Sequence, residues 1–247
     1  MQPRRVSIAL PQLFLGLLSL AIAAVWIAHI FSSTIHDAKH TDDTIEITGS
    51  ARVPIESNLV QWSLTVDGSA ATPVDAARRQ RRESAAVLAF LRAADIPEQA
   101  ITPEVVRSET ETTRIDKRHT RTTYHVYQGF DVSTAAIDRV EGAATRIGDL
   151  LERGVTVSAE PLAYVSTDLD QAKLEALRAA VAEAKRRAEI LVGGLGGKLG
   201  RMRATSLGVY QITPRNSTEV SDYGVNDTSS RLKDVRAVVS ARFAVKS

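Results

Sequence analysis

The residues best suited to chemistry lie in the polar segment 221–230, SDYGVNDTSS. Asp222, Tyr223, Asn226 and Asp227 offer carboxylate, phenol and amide groups there, and a long loop between strands is often functional. These four residues are therefore candidate contacts for a ligand or a partner protein. A structural turn is the favoured interpretation, because Asp, Gly, Asn and Ser are the residue types that turns favour.

The glycine-rich segment 193–200, GGLGGKLG, resembles a phosphate-binding loop at first sight. Its spacing is wrong for one, because Val192 stands five residues before Gly197 and Leu199 occupies the position where Ser or Thr would hold magnesium. The segment also ends a helical pattern, so a phosphate would meet the negative end of the helix dipole. We therefore predict a helix C-cap followed by a tight turn into a strand.

Four histidines are candidates for metal or acid-base chemistry. His36 and His40 lie four residues apart beside acidic residues, but a shared metal would require a helix, and the segment has little helical pattern. His119 lies in a charged turn and His125 on an outer strand face, and the sequence pairs neither with a nucleophile. The sequence thus predicts no catalytic residue, no metal site and no cofactor.

The arginine run 78–82, RRQRR, is a local concentration of positive charge. On a helix Arg78 and Arg82 share one face, while Asp75 and Glu83 neutralise part of the charge. The pattern predicts a solvated helix face, with an anionic lipid or an acidic partner as the alternative.

The elements that position these groups follow a long apolar segment. Residues 8–30 contain no Asp, Glu, Lys or Arg, and a helix of that length spans roughly 34 Å, enough to cross a bilayer. Arg4 and Arg5 precede the segment, which predicts that the N-terminus stays in the cytoplasm. The predicted organisation is a cytoplasmic tail at 1–7, a transmembrane signal anchor at 8–31, a tether at 32–43 and an exported domain at 44–247.

A cleaved signal peptide is the alternative interpretation of the apolar segment. Ala21, Ile22 and Ala23 resemble an export cleavage site. The apolar run, however, exceeds the roughly 7–15 residues of a signal core, which favours a retained anchor.

The net charge of +2 does not indicate a nucleic-acid partner. Arg4 and Arg5 account for the whole excess of 31 basic over 29 acidic residues, so the exported part is neutral in sum. Cysteine is absent, so disulfides and thiol chemistry contribute nothing.

Strands are predicted where apolar and polar residues alternate. Residues 44–53 predict a first strand, and Val60, Trp62, Leu64 and Val66 fall on one face of a second. Further strands are expected at 105–113, 124–132, 155–159, 201–210 and 235–245, with a polar loop before the last.

Three helices are predicted. The first begins at Pro73 after the N-cap Thr72 and runs to about Ala94, with an inward face of Val74, Ala77, Ala85, Leu88 and Leu91. The second joins Ile137, Val140, Ala144, Ile147 and Leu151 at spacings of three and four. The third runs from about Asp168 to Leu195, with an inward stripe of Leu174, Leu177, Val181, Ala184, Ala188 and Leu191.

The order of the elements indicates the fold class. Residues 58–166 alone give a split β-α-β-β-α-β unit, and the rest extends or pairs with its sheet. We therefore predict an α+β fold with two layers, in which helices pack on one face of an antiparallel sheet, preceded by one transmembrane helix.

Four segments make the chain resemble the SIMPL-domain family, also called DUF541, and its membrane-anchored branch. They are ITGSARV (47–53), LVQWSLTV (59–66), LEALRAAVAEAKRRAEILVGGLGGKLG (174–200) and SDYGVNDTSS (221–230). The resemblance implies an envelope protein with a two-layer α+β domain, homo-oligomerisation in some members and an association with stress tolerance. It implies no catalytic residues. The run RRQRR and the glycines at 193, 194, 196 and 197 depart from the family pattern.

We therefore expect a non-enzymatic, single-pass protein of a bacterial inner membrane, with its domain in the periplasm and a link to envelope or oxidative stress. Its expected partners are the membrane, through residues 8–31, and either further copies of itself or another envelope protein. The alternative is a small-molecule-binding protein or an enzyme that uses the loop around Tyr223. A pore built from oligomerised anchors is a third, weaker interpretation, because the apolar span has no charged face.

Overall fold

The structure, a computed structural model, describes residues 43–246. The predicted tail (1–7), the anchor (8–31) and all but the last residue of the tether (32–43) lie outside the described residues. Within the described part of the chain, no helix is long and apolar enough to cross a membrane.

The described chain contains eleven strands, four α-helices and one short 3-10 helix, Glu98–Ala100. The first half comprises β1 (Thr44–Glu56), β2 (Leu59–Ala70), α1 (Pro73–Ala93), β3 (Ile101–Pro103), β4 (Arg107–Arg114) and β5 (Thr120–Thr134). The second half comprises α2 (Ile137–Thr145), α3 (Gly148–Glu152), β6 (Val157–Ala159), β7 (Ala163–Val165), α4 (Leu169–Gly194), β8 (Lys198–Leu207), β9 (Gln211–Pro214), β10 (Val225–Asn226) and β11 (Leu232–Lys246).

The strands form two sheets, not the single sheet predicted. One has the order β3-β5-β2-β6, with β4 beside β5 and β7 beside β2, and the other has the order β1-β11-β9-β10, with β8 beside β11. The prediction of a mixed α+β fold with antiparallel pairing is confirmed, although β10 pairs with β9 in parallel. The described residues divide into a large unit, 50–181 and 207–238, and a small unit, 43–49, 182–206 and 239–246.

The six-stranded sheet of the large unit confirms the split β-α-β prediction. Trp62 lies opposite Val132, and Leu64 opposite Phe130, in the antiparallel pair of β2 and β5. All four side chains are buried in one core with apolar residues of α1, α2 and α3. The alternation in β2 thus identified the inward face correctly, because each inward position carries a large apolar residue.

Helix α1 begins as predicted, and its predicted inward face is correct only in part: Leu91 is buried and Leu88 packs against the core. The Thr72 hydroxyl accepts a hydrogen bond from the Asp75 N–H, and Pro73 opens the helix. Val74 and Ala85 are exposed, whereas the buried residues are Ala76, Gln80, Glu83, Ser84, Val87 and Leu91. Polar side chains occupy the inner face because they bond to one another and to the sheet: Gln80 Nε2 donates to Gln128 Oε1 at 2.8 Å.

Two further predictions in the large unit are corrected. The second predicted helix is two helices, because the N–H groups of Arg146 and Ile147 bond three residues back and break the α-helical pattern. Leu150 is buried as a result, and Leu151 is exposed. Val105, placed in a strand by the sequence, lies between β3 and β4 and is exposed.

The large unit also contains two strands where the sequence predicted a polar loop. β9 pairs with β11 so that Val235 lies opposite Ile212, and β10 pairs with β9 so that Val225 lies opposite Gln211. These strands have 4 and 2 residues, too few for alternation to be recognised.

Helix α4 has nearly the predicted length, but most of its inward stripe is alanine. In the large unit Ala172, Ala176 and Ala180 are buried, while Leu174 and Val181 are exposed. The stripe prediction is therefore wrong for Leu174 and Val181, while Leu177 is half-buried. The buried residues Ala172, Ala176 and Ala180 follow one another at spacings of four, which places them on one face of the helix.

The small unit confirms two further predictions. Ala184 and Ala188 of α4 pack with Ala241 and Phe243 of β11, whereas Leu191 is exposed against the prediction. The glycine-rich segment is a helix C-cap: Gly196 has φ +81°, and the Gly197 N–H donates to Val192 O at 3.0 Å. This is a Schellman-type end, in which a left-handed glycine satisfies the last helical carbonyls.

Candidate functional site

The segment 221–230 lies in the large unit and contains β10, which pairs with β9. Gln211 of β9 is buried, and its side-chain amide bonds to both backbone groups of Ser221, with Nε2 to Ser221 O at 2.6 Å. The Gly224 N–H donates to Ser221 O, and Gly224 has φ +85°, a conformation that favours glycine. Gln211 therefore fixes a tight turn at the start of the segment.

The structure separates the four predicted site residues into two pairs. Asp222 and Tyr223 lie at the tip of this turn, and Tyr223 is 99% exposed. Asn226 lies in β10, and Asp227 follows directly. The first pair presents a phenol and a carboxylate to solvent, whereas the second pair borders a small cavity.

Asp227 is largely occupied by its own turn. Its Oδ1 accepts hydrogen bonds from the N–H and hydroxyl of Ser229, and its Oδ2 accepts one from the Ser230 N–H. Burial raises the pKa of the Asp227 carboxyl, but these bonds and the charge of Lys233 outweigh that effect and hold the pKa below its ordinary value. The carboxylate thus has a structural role, as turn chemistry predicts.

Lys233 of β11 is a buried charged residue that the sequence did not indicate as a candidate site residue. It is 3% exposed, and its ammonium donates to the backbone carbonyl oxygens of Tyr164 at 2.7 Å and Asp227 at 2.5 Å. Burial lowers the pKa of Lys233, and the nearby charge of Asp227 opposes that shift only in part. One signal was present in the sequence, since Lys233 shares the parity of the inward residues Val235 and Ala237.

A cavity of about 120 Å³ adjoins the Lys233 side chain. Its wall includes Asn226, Asp227 and Tyr164, together with the apolar side chains of Ile55 and Ile212. A lysine ammonium has three donors, and two of them bond to carbonyl oxygens. The cavity is therefore a small, mainly apolar space with one polar wall, suited to a few water molecules or a very small ligand.

An ion-pair network lies next to this cavity. The Tyr164 hydroxyl donates to Glu141 Oε1 at 2.8 Å, and burial together with that bond raises the pKa of Tyr164 to about 12. Arg231 donates to Asp138 Oδ1 at 2.5 Å and to Glu56 Oε1 at 2.8 Å, and these bonds raise the pKa of its guanidinium. The network therefore holds its charged side chains in place around Arg231.

The comparison with known families decides the classification. The family model described as "SIMPL: Protein of unknown function (DUF541)" matches residues 45–243. The chain belongs to the SIMPL family. No curated protein is similar enough to the chain to add to this assignment. The family has no established function and is not a known enzyme family.

The other chemistry-bearing residues of the SIMPL domain form structural pairs. His125 Nδ1 lies 3.0 Å from Asp67 Oδ2, but its Nε2 faces Glu111 at 3.5 Å and not a nucleophile. His119 pairs with Asp116 in the charged turn. Among residues 43–246 no group of acidic and histidine side chains is arranged to hold a metal, and His36 and His40 lie outside the described residues.

The arginine run of the SIMPL domain lies on the solvated part of α1, as predicted. Arg79 Nε bonds to Glu83 Oε1 at 2.6 Å, and Glu83 Oε2 accepts the Thr156 N–H. Arg78 lies 3.9 Å from Asp75, and Arg81 and Arg82 are exposed. Part of the positive charge is therefore neutralised within the helix itself.

Proposed function

We propose that this SIMPL-family chain is a membrane-anchored envelope protein that works by binding and not by catalysis, with a second copy of itself as the main partner. The observation that carries the proposal is the exposed apolar stripe of α4. Leu174 is 52% exposed and Val181 49%, and Leu177, between them, is only partly buried. The three positions follow the spacing i, i+3, i+7, which places them on one helix face.

The stripe has the composition of a contact surface. Fully burying a Leu or Val side chain contributes about 1.5–3 kcal/mol, so each half-exposed side chain retains roughly 1 kcal/mol for an intermolecular contact. Lys173, Glu175 and Arg178 flank the stripe with both signs of charge. Asp170, which pairs with Lys173 at 3.3 Å, brings the flanking charges to two positive and two negative, so two identical stripes can face each other across a two-fold axis without a net excess of like charges.

The proposed location supports the same function. Residues 8–31 would hold the chain in a bacterial inner membrane with the N-terminus in the cytoplasm and residues 44–247 in the periplasm. Confinement to one membrane raises the effective concentration of copies, so a weak stripe contact suffices. An assembled envelope protein of this kind fits a role in tolerance of envelope or oxidative stress.

Cysteine crosslinking of the full chain in cells tests the proposal. Cysteine is absent from the sequence, so Arg178→Cys introduces a unique thiol beside the stripe. A thiol crosslinker should then yield a covalent dimer. Adding Leu174→Glu and Val181→Glu should abolish the dimer, whereas Ala179→Glu, which adds charge elsewhere on the same exposed helix, should not. A strictly monomeric Arg178→Cys protein would refute self-association through this stripe.

The loop around Tyr223 supports a second candidate function, the binding or chemical conversion of a small molecule. The supporting observation is the full exposure of the Tyr223 ring on a turn that buried Gln211 fixes. Replacing Asp222, Tyr223 and Asn226 with alanine tests it, and Asp227 stays because its carboxylate holds the turn. A folded variant that retains every phenotype of the parent protein eliminates this loop as a site.

A further inference from the structure

A groove of about 460 Å³ lies in the large unit between α1 and the segment 146–155, which contains α3. Its wall includes no residue of the α4 stripe, of the Lys233 cavity or of the Tyr223 turn. Pockets of this volume are typical of sites for small organic ligands. The groove is therefore a candidate binding site that does not depend on self-association.

The floor of the groove is apolar. Positions 86, 89, 90 and 93 of α1 follow the spacing i, i+3, i+4, i+7, which places them on one helix face. Opposite them, Leu150 and Val155 are buried, whereas Phe90 is only half-buried. The apolar residues of the wall are Ala86, Ala89, Phe90, Ala93, Leu150 and Val155. An alkyl chain laid on this floor would leave water on one side, which is favourable.

The remaining residues of the wall are charged: Arg146, Asp149 and Arg153. Arg146 Nε donates to Gly142 O at 3.1 Å, and this bond leaves the two terminal nitrogens of the guanidinium for another acceptor. Within the described part of the chain, neither arginine forms a salt bridge, and neither does Asp149. The wall therefore carries an uncompensated positive charge.

Arg82 adds to this positive charge. It lies four residues before Ala86, one helical turn away on the same side of α1, and its side chain is exposed. Among residues 43–246 it has no carboxylate in salt-bridge contact either. Positive charge beside an apolar floor matches a ligand with an anionic head and an apolar tail, since a guanidinium binds a carboxylate through two parallel hydrogen bonds.

We propose that this groove binds a free, single-chain fatty carboxylate of medium length. The alkyl chain lies against Phe90, Leu150 and the alanines of α1, and the carboxylate pairs with Arg146 and Arg153. Asp149 disfavours the bound carboxylate and sets a limit on the affinity. This binding goes beyond the proposed self-association, and either one stands if the other fails.

Protection of a thiol in the groove tests the proposal on the full chain. Because cysteine is absent from the sequence, Ala89→Cys places a unique thiol in the groove wall, and Ala179→Cys places one on exposed α4 as the matched control. The protein is held in a bilayer disc of phosphatidylcholine, a lipid without net charge, and the rate of maleimide labelling is measured. A site-specific rate separates binding in the groove from partition of the probe into the disc.

The probe is octanoate, below the concentration at which it forms micelles. We expect a Kd near or below about 1 mM. Octanoate at about ten times that Kd should slow labelling of Ala89→Cys about tenfold, because only the empty groove exposes the thiol, and should leave Ala179→Cys unchanged. Hexanoate and butanoate should bind progressively more weakly, since each methylene that the floor buries tightens binding by up to about fourfold.

Charge variants in the Ala89→Cys background locate the carboxylate. Arg146→Gln and Arg153→Gln should each weaken octanoate about tenfold, as the loss of a charge-assisted bond predicts. Arg118→Gln, at an exposed arginine of the turn between β4 and β5, is the matched control and should bind normally. Asp149→Asn should tighten octanoate binding, a gain that a partly unfolded protein would not show.

Four outcomes would overturn the proposal. One is the absence of protection by octanoate. Equal protection by octan-1-ol would mean that the arginines take no part, and stronger protection by octylammonium, lost in Asp149→Asn, would make the groove a cation site. The last is full protection by a disc of phosphatidylglycerol alone, with no further effect of octanoate, which would make this face a contact with an anionic bilayer.

Discussion

The Lys233 ammonium donates a hydrogen bond to the backbone carbonyl oxygen of Tyr164 at 2.7 Å, inside the large unit. The same ammonium bonds to Asp227 O, and the Tyr164 N–H donates to Thr228 O at 2.7 Å. Tyr164 belongs to the six-stranded sheet and Lys233 to the five-stranded one. A buried lysine therefore connects the sheets at a point where two carbonyl oxygens would otherwise be unsatisfied.

Replacing Lys233 with methionine is expected to destabilise the fold by about 2–4 kcal/mol, because it leaves the carbonyl oxygens of Tyr164 and Asp227 without donors. Burial lowers the pKa of Lys233, so the unfolded chain binds more protons than the folded one between that pKa and the ordinary value near 10.4. Stability of the parent protein should thus rise with pH across this window, and the rise should be absent in the variant.

Denaturant unfolding of the full chain at several pH values, followed through the fluorescence of the buried Trp62, measures both effects. Lys117→Met is the control, since Lys117 lies in the exposed turn between β4 and β5. Equal stability of the Lys233 and Lys117 variants would mean that Lys233 is not needed to connect the sheets.

Gly68 of β2 should tolerate no side chain. A Cβ added there would lie 2.5 Å from Ala76 O and 2.6 Å from Gln80 Cβ on α1. Because the nearest atoms include helix backbone, Gly68→Ala should cost about 1–3 kcal/mol through overpacking. Gly142→Ala is the matched control: it lies within α2 with no atom near the added methyl, and should gain up to about 1 kcal/mol. Thermal unfolding of both variants checks that Gly68→Ala lowers stability and Gly142→Ala raises it.

Much of the fold can be predicted from local sequence signals that are strong and independent of context. The N-cap Thr72 with Pro73, the alternation through Trp62 and Leu64, and the left-handed Gly196 each specify one local geometry. None of these depends on what lies opposite in the folded chain. The corresponding elements are therefore found where the sequence placed them.

The inner faces of α1 and α4 were not predictable on the same basis. Hydrophobicity assigns Val74 and Leu174 to the core, yet both side chains are exposed. Gln80 and Ala176 are buried instead. For α1 the choice depends on a tertiary partner, because Gln128 accepts a hydrogen bond from the buried Gln80 amide. The burial of Lys233 was not predictable either, because its hydrogen-bond acceptors are backbone carbonyl oxygens that come close only in the folded chain.

The bond between Gln80 and Gln128 predicts non-additive mutations. Gln128→Leu should destabilise the fold by about 1–3 kcal/mol, because the buried Gln80 amide loses one of its two acceptors and keeps only Ser84 Oγ. Gln80→Leu alone should have a similar effect. The double variant should be less destabilised than the sum of the two, since the bond between the two amides is lost only once; the buried Ser84 hydroxyl loses both partners, so some destabilisation remains. A double-mutant cycle by denaturant unfolding measures the coupling, with the exposed Gln99→Leu as the control; strict additivity would contradict it.

His125 should make the fold more stable in mild acid than in base. Its hydrogen bond to Asp67, opposed by burial but assisted by the charges of Asp67 and Glu111, raises the pKa of the imidazole above its ordinary value near 6.5. The added stability is complete below that ordinary value and is lost as pH rises through the raised folded value. His125→Gln should therefore lower stability clearly at about pH 5.5 and much less at about pH 8.5. Unfolding curves at both pH values measure the difference, and His119→Gln, at a more exposed histidine, is the control. A larger loss of stability at the higher pH would mean that the pair with Asp67 does not favour the protonated ring.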